Sequence, residues 1–380
     1  MRKINASFKR IVLNAFISLF MIYNIFYIIF VRNQFDTIFW IFIIILGTIG
    51  ILIFTKYGSK INTLVFWFLL VLLYLSISLI WVNNPIETIK YMLELIIFYF
   101  CSITINFYGE KNIRLSYTHK ILSLICFILV IFGKYIFKPE LIVNFIAGLS
   151  SINLIMIFIS VKRSRRKIIY IIVNIITIIL TNSFNAIVGL VAVAVWFLIK
   201  FLIKIKNKLK YISFIYLLIP SILSFIIIRF YLNENLINIL NGRYDIWLFA
   251  SKYSNIFGNG INSWFYYINT YGYNYYIKPW QKIYGLPGGT HNIYWQTYFE
   301  LGIIGIIILF YLIFYLFKKS FYENNYIIIS LLIFMLYYGI GEENLNIMTS
   351  IGNSLAFYYW INIFNYLNYK KEYNGVDNGV

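Results

Sequence analysis

Charged side chains are scarce in this sequence. Asp, Glu, Lys and Arg make up 12% of its 380 residues, against roughly 25% in a soluble globular domain. That shortage excludes a string of soluble domains. Cysteine is nearly absent. Cys101 and Cys126 both fall inside apolar runs, which leaves no disulfide framework and no zinc-ligand spacing. Histidine occurs only as His119 and His291. A phosphate-binding glycine loop, a zinc set and a G-x-S-x-G nucleophile motif are all missing. No internal repeat is visible. Matching halves with interrupted helices would have pointed to a secondary transporter.

Acidic residues are also few, 13 against 32 basic ones, for a net charge of +19. In a soluble protein that excess would suggest nucleic acid. Here the basic residues lie in short loops between apolar runs, as membrane topology requires, and no nucleic-acid fold signature accompanies them. Nucleic acid is therefore not an expected partner.

What the chain does have is hydrophobic sequence, 61% of residues at a mean hydropathy of +0.79. Runs long enough to span a bilayer, about 20 residues each, occur near 11–31, 35–54, 61–81, 88–107, 118–137, 144–161, 184–203, 211–229, 293–317, 325–341 and 351–367. A shorter run lies near 167–182. The first run lacks a small-residue cleavage site and reads as a retained helix. These runs predict an all-α integral membrane protein of about twelve transmembrane helices. Nine helices are expected within 1–229 and three within 293–370, with a short tail at 371–380.

With the N-terminus placed in the cytoplasm, about 23 of the 32 basic residues fall in cytoplasmic segments. The opposite orientation reverses that ratio. Both termini are thus expected inside, and one long segment, 230–292, outside. A segment of that length in a compact bundle is functional or disordered. Rich in Tyr and Trp, it is expected to be an ordered cap.

Three groups of residues could carry chemistry. Asn241-Gly242-Arg243-Tyr244-Asp245-Ile246-Trp247 reads as a helix start, with Asn241 as cap and Ile246, Phe249, Ala250 and Tyr253 at helical spacing. Arg243 in that first turn suits a phosphate, or else it pairs with Asp245 or a lipid headgroup. Pro287-Gly288-Gly289-Thr290-His291-Asn292 is a turn in which Thr290 is the expected cap of the next helix. His291 there could take a proton from a hydroxyl near neutral pH, or simply bond to backbone. Asn292, Gln296 and Glu300 follow at i, i+4 and i+8 on one helix face. Glu300 is either a functional acid facing a cavity or polar glue between helices. Elsewhere His119 reads as a solvated residue at a helix start, and Lys90 with Glu94 as a local ion pair. The adjacent Glu342 and Glu343 are weak candidates for holding a cation.

Taken in order, Gly242-Arg243 with Trp247, then Phe257-Gly258-Asn259-Gly260, His291-Asn292 and Glu300-Leu301-Gly302-Ile303-Ile304-Gly305 resemble the O-antigen polymerase and O-antigen ligase superfamily. One feature departs from it. Family members carry a Ser-Arg pair near mid-chain, where this chain has Ser183-Phe184. Arg229 is the residue that could substitute.

The resemblance implies a GT-C-like bundle in the bacterial cytoplasmic membrane, with no cofactor and no metal. The donor would be a glycan on undecaprenyl diphosphate, with the lipid diphosphate as leaving group. Arg243 and Arg229 would bind the diphosphate, and His291, with Glu300, would serve the acceptor hydroxyl. Trp247, Asn292 and Gln296 would line the glycan and loop contacts. Partners would be the lipid-linked glycan, the bilayer, and a chain-length regulator or a flippase. The first expected activity is polymerisation of repeat units into surface polysaccharide. Ligation of finished glycan to another acceptor is the alternative. From a different class, the alternative is a lipid-linked oligosaccharide flippase.

Overall fold

The computed structural model describes residues 47–48, 65–108, 115–136, 140–160, 165–203, 205–227, 243–271, 288–349 and 354–369. Among these residues all regular structure is helical. In chain order the helices are α1 (Val65–Ser78), α2 (Pro85–Tyr108), α3 (Leu115–Ile136), α4 (Glu140–Ser160), α5 (Arg165–Thr181), α6 (Phe184–Leu202) and α7 (Lys206–Ile226). They continue with α8 (Arg243–Tyr253), α9 (Ser263–Tyr271), α10 (Ile293–Tyr322), α11 (Tyr326–Tyr338) and α12 (Ser354–Tyr369).

Every apolar run expected from 61–81 onward coincides with one of these helices, with ends shifted by a few residues. The expected runs near 11–31 and 35–54 fall outside the described residues except for Gly47 and Thr48, as do Asn241, Arg229 and the 371–380 tail. Among the described residues of the segment 230–292 lie two helices, α8 and α9. Stretches within α6, α7 and α10, namely Phe184–Leu202, Asn207–Ile226 and Ile293–Tyr322, are long and apolar enough to cross a membrane.

The packing centres on α11. It is apolar all round, as a helix enclosed on every side must be, and Ile328 through Leu336 are buried without a break. It packs against α4, α6, α7, α10 and α12. Helix α4 lies against α3 and α5, and α12 lies against α2. A separate aromatic cluster joins α8 and α9 to the start of α10: Trp247, Phe249, Trp264, Trp295 and Phe299 are all buried there. Ile246, Phe249 and Ala250 form the buried face of α8 at the spacing expected from sequence.

Helix α10 is broken at Gly302, whose φ of 62° and ψ of −161° lie in a region essentially open to glycine alone. The break frees carbonyls that a bilayer interior could not satisfy. The Phe257–Gly260 segment supplies their partners. Asn259 N–H donates to the Phe299 carbonyl at 3.0 Å, Gly260 N–H to Glu300 at 2.8 Å, and Ile303 N–H to Ile256 at 2.9 Å. The Tyr74 hydroxyl stands 2.6 Å from the Leu301 carbonyl and 2.8 Å from that of Phe257. Gly258, at φ 79°, and Gly302 face each other so closely that a Cβ on either would strike the other's backbone. The two glycine motifs therefore form one backbone splice that pins the turn between α8 and α9 to α10.

Candidate functional site

Arg243 is the first residue of α8, in the first turn as expected. Its guanidinium does not pair with Asp245. Nη2 donates to Oε1 of Glu342 at 3.0 Å, with the two side chains 16% and 3% exposed. Glu342 lies in the irregular segment between α11 and α12, 99 residues further along the chain. A buried carboxylate needs several donors to offset its lost hydration, and Glu342 has them. Asn144 Nδ2 of α4 donates to Oε1 at 2.5 Å and Asn185 Nδ2 of α6 at 3.4 Å. Asn344 Nδ2 donates to Oε2 at 3.2 Å. Ser183 Oγ in turn donates to Asn144 Oδ1 at 2.9 Å.

His291 completes the group. Its Nδ1 is 3.8 Å from Glu342 Oε2, so one carboxylate faces both the guanidinium and the imidazole, an oxygen to each. The backbone of His291 is left-handed, at φ 50°, a conformation that costs a residue with a Cβ about 1–2 kcal/mol. Its neighbours hold it there. Trp247 Nε1 donates to the Thr290 carbonyl at 2.9 Å, and Thr290 N–H donates to Gln296 Oε1 at 2.8 Å. On the other side Asn292 caps α10, accepting from the N–H groups of Tyr294 and Trp295. The cap is thus Asn292, not the expected Thr290. The carboxamide reaches the first turn of the helix from Asn292, while the Thr290 hydroxyl bonds to the Asn292 carbonyl at 2.8 Å.

Burial lowers the pKa of the His291 imidazole, but the carboxylates of Glu343 and Glu342 outweigh burial and the opposing Arg243, and hold it above its ordinary value. Burial raises the Glu343 carboxyl. His291 and Arg243 only partly offset that shift, and Glu342 adds to it.

The structure brings Arg243 and His291 together through Glu342. The other residues expected at the site lie around that centre in supporting positions. Trp247 and Asn292 are fully buried, and Asn292 Nδ2 is engaged with the Ile340 carbonyl at 2.9 Å and Ser224 Oγ at 3.2 Å. Asn292, Gln296 and Glu300 share a helix face as expected. Gln296 Nε2 donates to Glu300 Oε1 at 2.9 Å, and Glu300 also takes a backbone N–H from Asn262. Glu300 therefore ties α10 to the turn before α9. Arg229 lies outside the described residues. Phe184, where the resemblance would put an arginine, is 70% exposed. Asn185 is the residue of that stretch that reaches the site.

Two further expectations are corrected. His119 is not solvated. It is fully buried, with Nδ1 at 3.0 Å from Asn153 Oδ1 and 2.6 Å from the Tyr358 hydroxyl, because α4 and α12 close over the start of α3. Lys90 pairs with Glu87 at 3.9 Å, one turn back along α2, not with Glu94. Sequence reasoning underrated Glu342 and missed Asn144 and Asn185. Two adjacent acids at the end of an apolar run, in a chain with 13 acids, are a signal that a buried cation must be near.

Comparison with known proteins bears on this geometry. No curated protein matches the chain. Residues 169–310 match the family model described as O-Antigen ligase. That stretch holds Ser183, Asn185, Arg243, His291 and Glu300, and stops short of Glu342. The segment that presents Arg243 and His291 is thus similar to the O-antigen ligase family, in keeping with the O-antigen polymerase and ligase superfamily.

Proposed function

We propose that this chain polymerises glycan repeat units carried on undecaprenyl diphosphate, by glycosyl transfer that needs no metal. The observation that carries the reading is the convergence of Arg243 and His291 on one buried carboxylate. Two cationic or protonatable groups arranged around one anion are what a departing diphosphate requires. Charge builds on the diphosphate as the sugar–oxygen bond breaks, and a preorganised guanidinium offsets it. Arg243 keeps capacity for that role. Its Nε is buried and has no hydrogen-bond partner among the described residues.

In this reading Arg243 binds the diphosphate, displacing part of the contact to Glu342. His291 takes the proton from the acceptor hydroxyl. The site faces the outer side of the membrane, where the charge bias of the loops places segment 230–292. Where the family carries Ser-Arg this chain has Ser183-Phe184, and the neighbouring Asn185 joins Ser183 in the polar network around Glu342.

Ligation is the second reading, favoured by the description of the matched family. Both reactions share donor and leaving group, so Arg243 and His291 serve either. The acceptor separates them. Purified protein given only a lipid-linked repeat unit is expected to make a ladder of products in multiples of that unit. Donor consumption only when a chemically different acceptor is added, with no ladder, would replace polymerisation by ligation. No consumption of the donor under either condition would sink the family chemistry for this chain.

A further inference from the structure

Glu342 and Glu343 are adjacent and both face His291, but their surroundings divide them. Glu342 is saturated. Arg243, Asn144, Asn185 and Asn344 all donate to it. Glu343 is engaged by the histidine itself, since its carboxylate takes the His291 backbone N–H. Its Oε1 lies directly on Gly289, where any Cβ would collide with it. Oε2 of Glu343 is buried and has no hydrogen-bond partner among the described residues. One acid is thus committed to the arginine, while the other grips the turn that presents the histidine.

The left-handed backbone of His291 gives that grip a purpose. A carboxylate on the N–H of a residue in the left-handed region, lying over Gly289, holds the turn that presents the imidazole. We propose that Glu343 is the positioning residue for His291, holding the turn that presents its imidazole and placing a negative charge beside it. The inference rests on the reading of His291 as proton acceptor. As the acceptor oxygen bonds to the sugar C1, its proton passes to the imidazole. The bond from C1 to the diphosphate oxygen breaks, and its electron pair leaves with the diphosphate. The imidazolium so formed is stabilised by Glu343.

Among the described residues, the charged groups facing His291 are Glu343 and Glu342 from the segment after α11 and Arg243 from α8. The nearby Tyr338 hydroxyl of α11 donates to the Asn144 carbonyl at 3.1 Å. Burial and Arg243 lower the basicity of His291, and Glu343 leads the opposing group. Removing its charge must therefore move the histidine titration to lower pH. An opposite charge at short range is worth about 1–3 pH units.

The chain's two histidines make that shift directly measurable. In full-length protein with isotope-labelled histidine, the NMR titration of His291 is assigned by its loss in His291→Ala. Wild type is expected to titrate above the ordinary histidine value of about 6.5. Glu343→Gln should titrate about 1–3 units lower, and Glu343→Asp, which keeps the charge, close to wild type. Turnover of lipid-linked donor should follow, with the acid limb of its pH profile moving down in Glu343→Gln and the plateau falling at least about tenfold. An unmoved His291 titration in Glu343→Gln would overturn the proposal. So would equal loss of the wild-type titration in Glu343→Gln and Glu343→Asp, which marks a structural role. The titration needs no substrate, so a wild type that titrates as expected but consumes no donor refutes the proposed function and not this coupling.

Discussion

Glu342→Ala is the most demanding test of the site's electrostatics. The wild-type carboxylate is 3% exposed and 3.0 Å from a guanidinium that is itself 16% exposed. Removing the carboxylate leaves Arg243 buried without its counter-ion and takes from the Asn144 amide the acceptor it reaches at 2.5 Å, while Asn185 keeps the Gly341 carbonyl. Breaking one side of such a buried pair costs about 3–5 kcal/mol. Arg243→Ala should cost a similar amount, because it strands Glu342. The double variant removes both charges and should cost far less than the sum. A double-mutant cycle on unfolding of the purified protein in detergent is expected to give a coupling of at least about 1 kcal/mol. Additivity within about 0.5 kcal/mol would refute the reasoning, since groups in one buried network cannot act independently. The same logic makes Arg243→Lys the cleaner probe of chemistry. It keeps a cation for Glu342 but loses the planar fork that fits a phosphate, so the fold should survive while product formation falls.

Two further outcomes are expected. Gly302→Ala should destabilise the protein by at least about 1–3 kcal/mol from its φ/ψ region alone, read as a fall in unfolding temperature in detergent. Gly288→Ala, which meets nothing within 4 Å, should be silent, and equal effects would undo the backbone-splice account. A reporter fused within 265–285 should read external and one within 162–167 cytoplasmic, by the positive-inside bias. The reverse would place Arg243 and His291 on the wrong face for the proposed reaction.

Much of the helical layout was legible because it depends on local quantities. Apolar runs give helices whatever packs beside them, so α1 to α7 and α10 to α12 lie where hydropathy puts them. Arg243 at the start of α8 was legible for the same reason, since helical spacing of Ile246, Phe249 and Ala250 follows from a single buried face. The errors fell where a side chain had two local options. Thr290 and Asn292 both suit a cap, and only the position of Trp247 and Gln296 around Thr290 decides between them. His119 reads as solvated until α4 and α12 close over it.

Composition and periodicity alone determined that this is a helical membrane protein, that 230–292 interrupts the apolar pattern, that Arg243 starts a helix, and that His291 is one of only two histidines. Tertiary structure alone decided what they face. The Arg243–Glu342 contact joins residues 99 apart, and the Asn144–Glu342 contact joins residues 198 apart. No local pattern encodes such pairings. They exist because a charge buried among apolar helices must find its counter-charge wherever the packing of α4, α6, α8 and α11 brings one.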